Sequence, residues 1–355
     1  MKIMFIPGAY PFCYYVRGLL PGVYGGHTVV SDFMRLDAKI DSERMIANAL
    51  ASDVIVFQRP STKSAVDLAK NLKQKGKKII FENDDSYSAI PLERLDNQKQ
   101  IDIANEINGY INEFATMADG CIASTEVLGE EYRKLNPNTV VLKNTIDPLD
   151  EYACKKNTTG KFRIGFIGSV TSNDDYIHIK DQIKALDDTN DFTIVLMGVK
   201  FADGTIMPSM QPDLEFWQSL KNVEWHPVVH VTQYMYKLST LALDVAIIPR
   251  MEHYFNQCKS NLKFLEMSLL RIPVIAQGFS DGTSPYQGVD EPYMTVIVDN
   301  STWRDTINNV KLNYDKYKAL ANKAHDYVLE NYNIKSYHTE WTQQIENLCK
   351  SQTNS

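Results

Sequence analysis

The stretch Phe255 to Glu266, "FNQCKSNLKFLE", sets two lysines, a serine and an asparagine before an apolar run that carries one glutamate. It directly follows "LDVAIIP" (243–249), an apolar, β-branched run with the character of a buried strand. A strand that hands over to a helix is the unit of an open parallel sheet. In such sheets ligands bind beyond the carboxyl ends of the strands, often at helix amino termini, where N–H groups and the helix dipole favour anions.

Ser260 is the expected N-cap, which turns the amides of Asn261, Leu262 and Lys263 outward while Lys259 and Lys263 add positive charge. These features suit a diphosphate. Glu266 lies about 9 Å further along the helix axis at ~1.5 Å per residue. That separation matches the reach from a diphosphate to a ribose, whose vicinal hydroxyls a carboxylate can accept. Glu266 is equally an acid at the edge of an amphipathic face, or a partner for Lys259, Lys263 or Arg271.

Similar strand runs recur on both sides of this segment. "KIMFIP" (2–7), "DVIVFQ" (53–58), "KIIFEN" (78–83), "GCIAS" (120–124) and "TVVLKN" (139–144) come first. Between them lie helical patterns such as "STKSAVDLAKNLKQKG", with Ala65, Leu68, Ala69 and Leu72 on one face. The alternation pauses at the polar "DPLDEYACKKNTTGK" (147–161) and then restarts. "FRIGFIGS" (162–169), "FTIVLMG" (192–198), "VEWHP" (223–227), "IPVIAQG" (272–278) and "MTVIVD" (294–299) continue it.

Two doubly wound α/β domains in tandem follow from this order, and a chain of 355 residues exceeds what one hydrophobic core usually organises. We assign residues 1–150 and 162–334 to the two domains, 151–161 to a linker and 335–355 to a terminal helix. The residues from Trp303 to Cys349 read as mostly helical, with Leu320, Ala324, Val328 and Leu329 spaced for burial.

The bulk properties exclude several classes. No run reaches the roughly 18 to 20 apolar residues of a membrane span, and proline breaks the amino terminus too soon for a signal peptide. The expected location is the cytoplasm, or the host cytoplasm for a phage-encoded protein. Cys13, Cys121, Cys154, Cys258 and Cys349 are scattered and lack a Cys-x-x-Cys pair, so neither a disulfide framework nor a structural zinc is expected. The net charge of −7 provides no global attraction to phosphate polymers. Locally, Arg59, Lys63, Lys70, Lys73, Lys75, Lys77 and Lys78 face the single acid Asp67. That run reads as a solvated helix face or as a nucleic-acid contact.

"FNQCKSNLKFLEMSLLRIPVIAQGFSDGTSPY" resembles the donor-site segment of the family 4 type of GT-B glycosyltransferases, and "YGGHTVV", "VFQRP", "KGKKIIFENDD" and "RIGFIGS" match further segments in the same order. The resemblance implies two Rossmann-like domains facing across a cleft, with a final helix crossing back to the first. It implies an enzyme that moves a sugar from a nucleotide sugar, UDP-sugar foremost, with retention of configuration and without a metal or other cofactor. The first domain would bind the acceptor, either a glycan or lipid-linked sugar or a hydroxymethylated base of bacteriophage DNA. A sugar-nucleotide-binding protein without turnover is the rival reading.

Carried over by residue, Glu266 would hold the donor ribose, the amides of Ser260, Asn261 and Leu262 the diphosphate, and Lys259 or Lys263 would supply charge. The family's sugar-facing glutamate falls on Cys258, and its usual Arg and Lys after the first donor-domain strand are replaced in "GSVTSNDDY". Arg250 is a substitute cation, or an exposed arginine without a ligand. His226 and Val228 are candidates for contact with the base, or a buried strand end. In the first domain Gly25 and Gly26 would let a substrate approach the backbone. His27 at the cleft, Asp84 and Asp85 are candidate catalytic groups, with structural roles as the alternative: a lone histidine in packing, a helix cap at "ENDD".

Overall fold

A computed structural model describes residues 1–8, 11–32, 40–90, 98–168, 173–201, 203–206, 211 and 213–350. The chain divides into two compact units. The first comprises Met1–Asp147, Gln257–Ser260 and Tyr332–Ser355; the second comprises Pro148–Asn256 and Asn261–Asn331. The polar stretch expected to link the domains therefore belongs to the second unit from Pro148 onward.

The first unit is built on strands β1 (Ile3–Ile6), β2 (Thr28–Val29), β3 (Val54–Gln58), β4 (Lys78–Asn83), β5 (Gly120–Ala123) and β6 (Thr139–Val141). They form one parallel sheet in the order β2-β1-β3-β4-β5-β6. The strands read as unbroken apolar runs because both faces are covered. Met4, Ile55, Phe57, Ile79 and Phe81 pack toward Leu72 and Phe114 of the helices Lys63–Gln74 and Gln98–Met117. Ile3, Phe5, Val54, Val56, Ile80 and Ile122 pack instead against Tyr14, Leu19 and the last helix, Ile334–Lys350, through Trp341, Ile345 and Leu348. The final helix thus completes the core of the first unit.

The helix Lys63–Gln74 starts at Thr62, whose hydroxyl accepts the Ala65 N–H. It buries Val66, Ala69 and Leu72. Ala65 and Leu68 are only half-buried, so the apolar stripe is turned toward Val66 from the face the sequence suggests. β2 is a two-residue edge strand, too short to leave a periodic signal.

The second unit holds β7 (Phe162–Ile167), β8 (Phe192–Met197), β9 (Val223–His226), β10 (Val245–Ile248), β11 (Val274–Gln277) and β12 (Thr295–Ile297). Their order is β12-β11-β10-β7-β8-β9, all parallel, which is the Rossmann winding. The winding reverses between β7 and β10, and the crevice at their carboxyl ends is where such sheets take ligands. Phe166, Ile194, Leu196, Val245, Trp217 and Trp303 form the core beneath it. The loops leaving β7 and β8 touch: a Cβ on Gly198, whose φ is +97°, would lie 1.8 Å from the Gly168 carbonyl oxygen.

Candidate functional site

The chain leaves β10 of the second unit through Pro249 and Arg250, forms a short helix at Tyr254–Gln257, contributes Gln257–Ser260 to the first unit, and re-enters the second with the helix Leu262–Leu269. The N-cap is Asn261, one residue later than expected. Its carbonyl accepts the Phe264 and Leu265 N–H groups at 2.9 and 3.2 Å. The Asn261 amide does not cap the helix but donates to Asp290 at 2.6 Å, and Asp290 also accepts from the Tyr327 hydroxyl at 2.8 Å. Ser260 belongs to the first unit, where its hydroxyl accepts from the Asn144 amide at 2.7 Å.

Glu266 sits one turn into this helix with its side chain 13% exposed. Its Oε2 accepts from the Tyr234 hydroxyl at 2.8 Å and from Lys263 Nζ at 2.9 Å, and the same Nζ is 2.7 Å from the Tyr234 oxygen. The ammonium lies 4.9 Å from the tyrosine ring centroid. Burial first, then the Glu266 carboxylate, holds the Tyr234 hydroxyl protonated far above the usual tyrosine range. One reading offered by the sequence, Glu266 as a partner of Lys263, is therefore present, and Tyr234 joins them from 32 residues away.

Arg250 is not an exposed cation. Its Nη1 donates at 2.7 Å to Asp175, which is fully buried and also accepts the Met251 N–H at 2.9 Å and the Asn256 amide at 2.8 Å. Burial acts against the charged guanidinium, and nearby Tyr286 and Asp175 more than offset it, so Arg250 stays ionised. Asp175 thus organises the loop between β10 and the helix from within an "NDD" that is merely polar as sequence. The preceding residues 169–172, where the family's Arg and Lys are replaced, lie outside the described residues.

His226 and Val228 end the outer strand β9 and its loop. His226 Nε2 is 3.5 Å from Glu224, a carboxylate held by both guanidinium nitrogens of Arg163 at 2.7 Å. Burial first, then Lys237, lowers the His226 imidazolium pKa below the usual value. The Val228 N–H, offered to a base by the sequence reading, donates to the Lys200 carbonyl at 2.8 Å.

In the first unit Asp84 and Asp85 meet Arg59 beyond the ends of β3 and β4. Arg59 pairs with Asp85 and lies 3.6 Å from Asp84, and Lys259 pairs with the other Asp85 oxygen. Lys259, expected on a diphosphate, here neutralises an acid of the first unit. Burial raises the Asp84 carboxyl, but Arg59, a bond from Cys13, Arg17 and Lys259 together hold it below its ordinary range. Arg59 adopts a φ of +52°, a strained conformation for a residue with a Cβ. Burial first, with Asp84 adding to it, pushes the Cys13 thiol up to about 12, which makes it a poor nucleophile.

His27 does not join that cluster. Its Nε2 is 2.9 Å from the Thr342 hydroxyl on the last helix, and its ring stacks on Phe5 at 6.2 Å between centroids. Gly25 and Gly26 close the helix Leu20–Tyr24: the Gly25 N–H donates to Pro21, the His27 N–H to Gly22, and Gly26 takes a φ of +69°. Cys258 is 1% exposed, and its carbonyl accepts from Thr125 Oγ1 at 3.0 Å. Sequence reasoning misses the part played by Tyr234, Asp175 and Arg59; only an "R-P" at a strand end and the "NDD" mark two of them.

None of the five cysteines is in a disulfide. Among the described residues no cluster of His, Cys, Asp or Glu is placed to hold a metal, and no helix is long and apolar enough to cross a membrane.

No family model and no curated protein sequence matches the chain. Solved structures do. Anabaena HepE in complex with UDP-glucose is 13% identical, with a TM-score of 0.62 over 98% of this chain and 100% of that one. Sucrose-phosphate synthase from Thermosynechococcus elongatus is 11% identical, with a TM-score of 0.65 over 99% and 100%. TarM is 16% identical with a TM-score of 0.56; 84% of this chain matches 58% of TarM, so the chain spans little more than half of that protein. At such identities the likeness speaks to architecture, and these neighbours share one: the chain has the fold of the GT-B glycosyltransferases.

Proposed function

We propose that this protein is a glycosyltransferase that moves a sugar from a nucleoside-diphosphate sugar, UDP-sugar in the first instance, to a hydroxyl acceptor. The observation that carries the reading is the meeting of Glu266 and Lys263, on the first turns of the helix Leu262–Leu269 after β10, with Tyr234 at the head of the helix Tyr234–Thr240 before it, in a sheet of Rossmann order. A fixed carboxylate there suits a ribose, and the helix start one turn earlier suits a diphosphate. HepE, of the same fold, was solved with UDP-glucose.

In this reading the second unit takes the nucleotide sugar and the first supplies the acceptor site, with Asp84 and Asp85 as its polar groups. The leaving diphosphate gains negative charge as the anomeric carbon becomes oxocarbenium-like, and preorganised amides and cations lower that barrier. Retention follows the family 4 resemblance, by same-face attack in which the leaving phosphate accepts the acceptor proton. A hydrogen-bonded carboxylate at the sugar is not available from Cys258, and we nominate no protein nucleophile.

For the acceptor we favour a glycan or lipid-linked sugar over DNA. Lys63, Lys70, Lys73 and Lys78 of the basic run pair with Asp67, Glu113 and Asp119, which leaves less charge for phosphates. Incubation with a panel of UDP-sugars and either oligosaccharide or hydroxymethylated DNA, read by mass spectrometry, tests substrate and acceptor together. Product stereochemistry tests retention, and an inverted product would refute it. Buried Cys258 favours one rival, a binding protein without turnover; tight UDP-sugar binding with neither transfer nor hydrolysis would select it.

A further inference from the structure

We propose that Tyr234 is a positioning residue that sets Glu266 to recognise the vicinal hydroxyls of the donor ribose, an inference that rests on the donor reading above. Tyr234 heads the helix Tyr234–Thr240, and its half-buried side chain carries the hydroxyl across to Glu266 at 2.8 Å. Lys263 Nζ reaches the same carboxylate oxygen at 2.9 Å. An ionised carboxylate oxygen accepts about two hydrogen bonds, so Oε2 is saturated by these two donors. Among the described residues Oε1 takes no hydrogen bond, and it is not closed off from solvent.

The arrangement divides the work between the two oxygens. Oε2 is anchored and fixes the carboxylate plane, while Oε1 keeps both lone pairs in a definite direction. Two adjacent hydroxyls are the ligand group that matches one oxygen with two open acceptor sites. Lys263 alone could not impose this direction, because a flexible ammonium three residues away on the same helix follows the carboxylate. The half-buried tyrosine, held on a different element, does not.

The test compares UDP with 2′,3′-dideoxy-UDP by calorimetry in the full-length protein. The wild type should prefer UDP by roughly tenfold or more, the worth of hydrogen bonds to a charged group. Tyr234→Phe keeps the ring beneath Lys263 and removes only the hydroxyl; it should shrink that preference severalfold while leaving dideoxy-UDP affinity unchanged. In a Glu266→Ala background the same change should have no further effect, since the tyrosine acts through the carboxylate. Equal weakening of both nucleotides, or an undiminished preference in Tyr234→Phe, overturns the positioning role alone. A wild type that does not distinguish the two nucleotides overturns the ribose reading of Glu266 and this inference with it.

Discussion

Arg17 Nε lies 2.6 Å from Glu82 Oε1 with both side chains essentially fully buried, and the same guanidinium stands 4.7 Å from the ring centroid of Trp341. Its Nη1 also donates to the Leu142 carbonyl at 2.5 Å and to Asn144 Oδ1 at 3.1 Å. One cation thus joins the first helical segment, β4, the exit from β6 and the final helix. Arg17→Ala should lower stability by roughly 3–5 kcal/mol, the usual cost of breaking a buried pair. Urea unfolding at pH 8 measures it, and a loss below about 1 kcal/mol would contradict the assignment.

The same pair makes stability depend on pH. Burial first, with Arg17 opposing, pushes the Glu82 carboxyl up to about 7 from an unfolded value of 4.5. Between these values the folded protein holds a proton that the unfolded chain has released. The stabilisation from protonated Glu82 is therefore complete below pH 4.5 and is lost as pH rises through 7. Unfolding free energies of wild type and Glu82→Gln, compared at pH 5 and pH 8, should show the wild type losing ground on the order of a few kcal/mol. A difference independent of pH would rule this out.

Asp175 holds the loop after β10 through Arg250, the Met251 N–H and Asn256. Asp175→Ala leaves a buried guanidinium without its acid and should destabilise by about 3–5 kcal/mol. Hydrogen exchange gives a local readout: the Met251 amide should exchange much faster in Asp175→Ala. Unchanged protection at Met251 would show that Asp175 does not organise the loop.

Two glycines with positive φ should respond differently to alanine. Gly76, at +77°, has nothing within 4 Å of the point where a Cβ would stand, so Gly76→Ala should cost about 1–2 kcal/mol from backbone strain alone. Gly198, at +97°, would drive its Cβ into the Gly168 carbonyl. Gly198→Ala should cost clearly more, seen as a larger fall in melting temperature. Equal shifts would mean that the two loops part without penalty.

Glu266→Ala and Lys263→Ala should each weaken UDP binding while the melting temperature stays close to that of the wild type. Both side chains are partly exposed and sit outside the packed core of the second unit. Unchanged calorimetric affinity in both variants would remove the proposed donor site.

Much of the architecture is legible because strands buried on both faces must be continuously apolar. "DVIVFQ" and "FTIVLMG" could hardly be anything else, and β3 and β8 lie within them. The edge strand β2 leaves no such trace for the opposite reason, being two residues long with little burial. The helix begins one residue later than the sequence suggests. Serine and asparagine cap helices about equally well in isolation, and in the folded chain Asn144 takes the Ser260 hydroxyl.

The sequence alone determined the alternation of strands and helices in two α/β units and the neighbourhood of Lys263 and Glu266, because apolar runs and i, i+3 spacing are local properties. Tertiary structure alone decided the partners: Tyr234 for Glu266, Asp175 for Arg250, Asp85 for Lys259 and Glu82 for Arg17. These pairs are separated by 32 to 174 residues, and no local pattern relates them. They exist because buried charges and hydroxyls must be satisfied wherever the sheet register and helix packing happen to bring a complementary group.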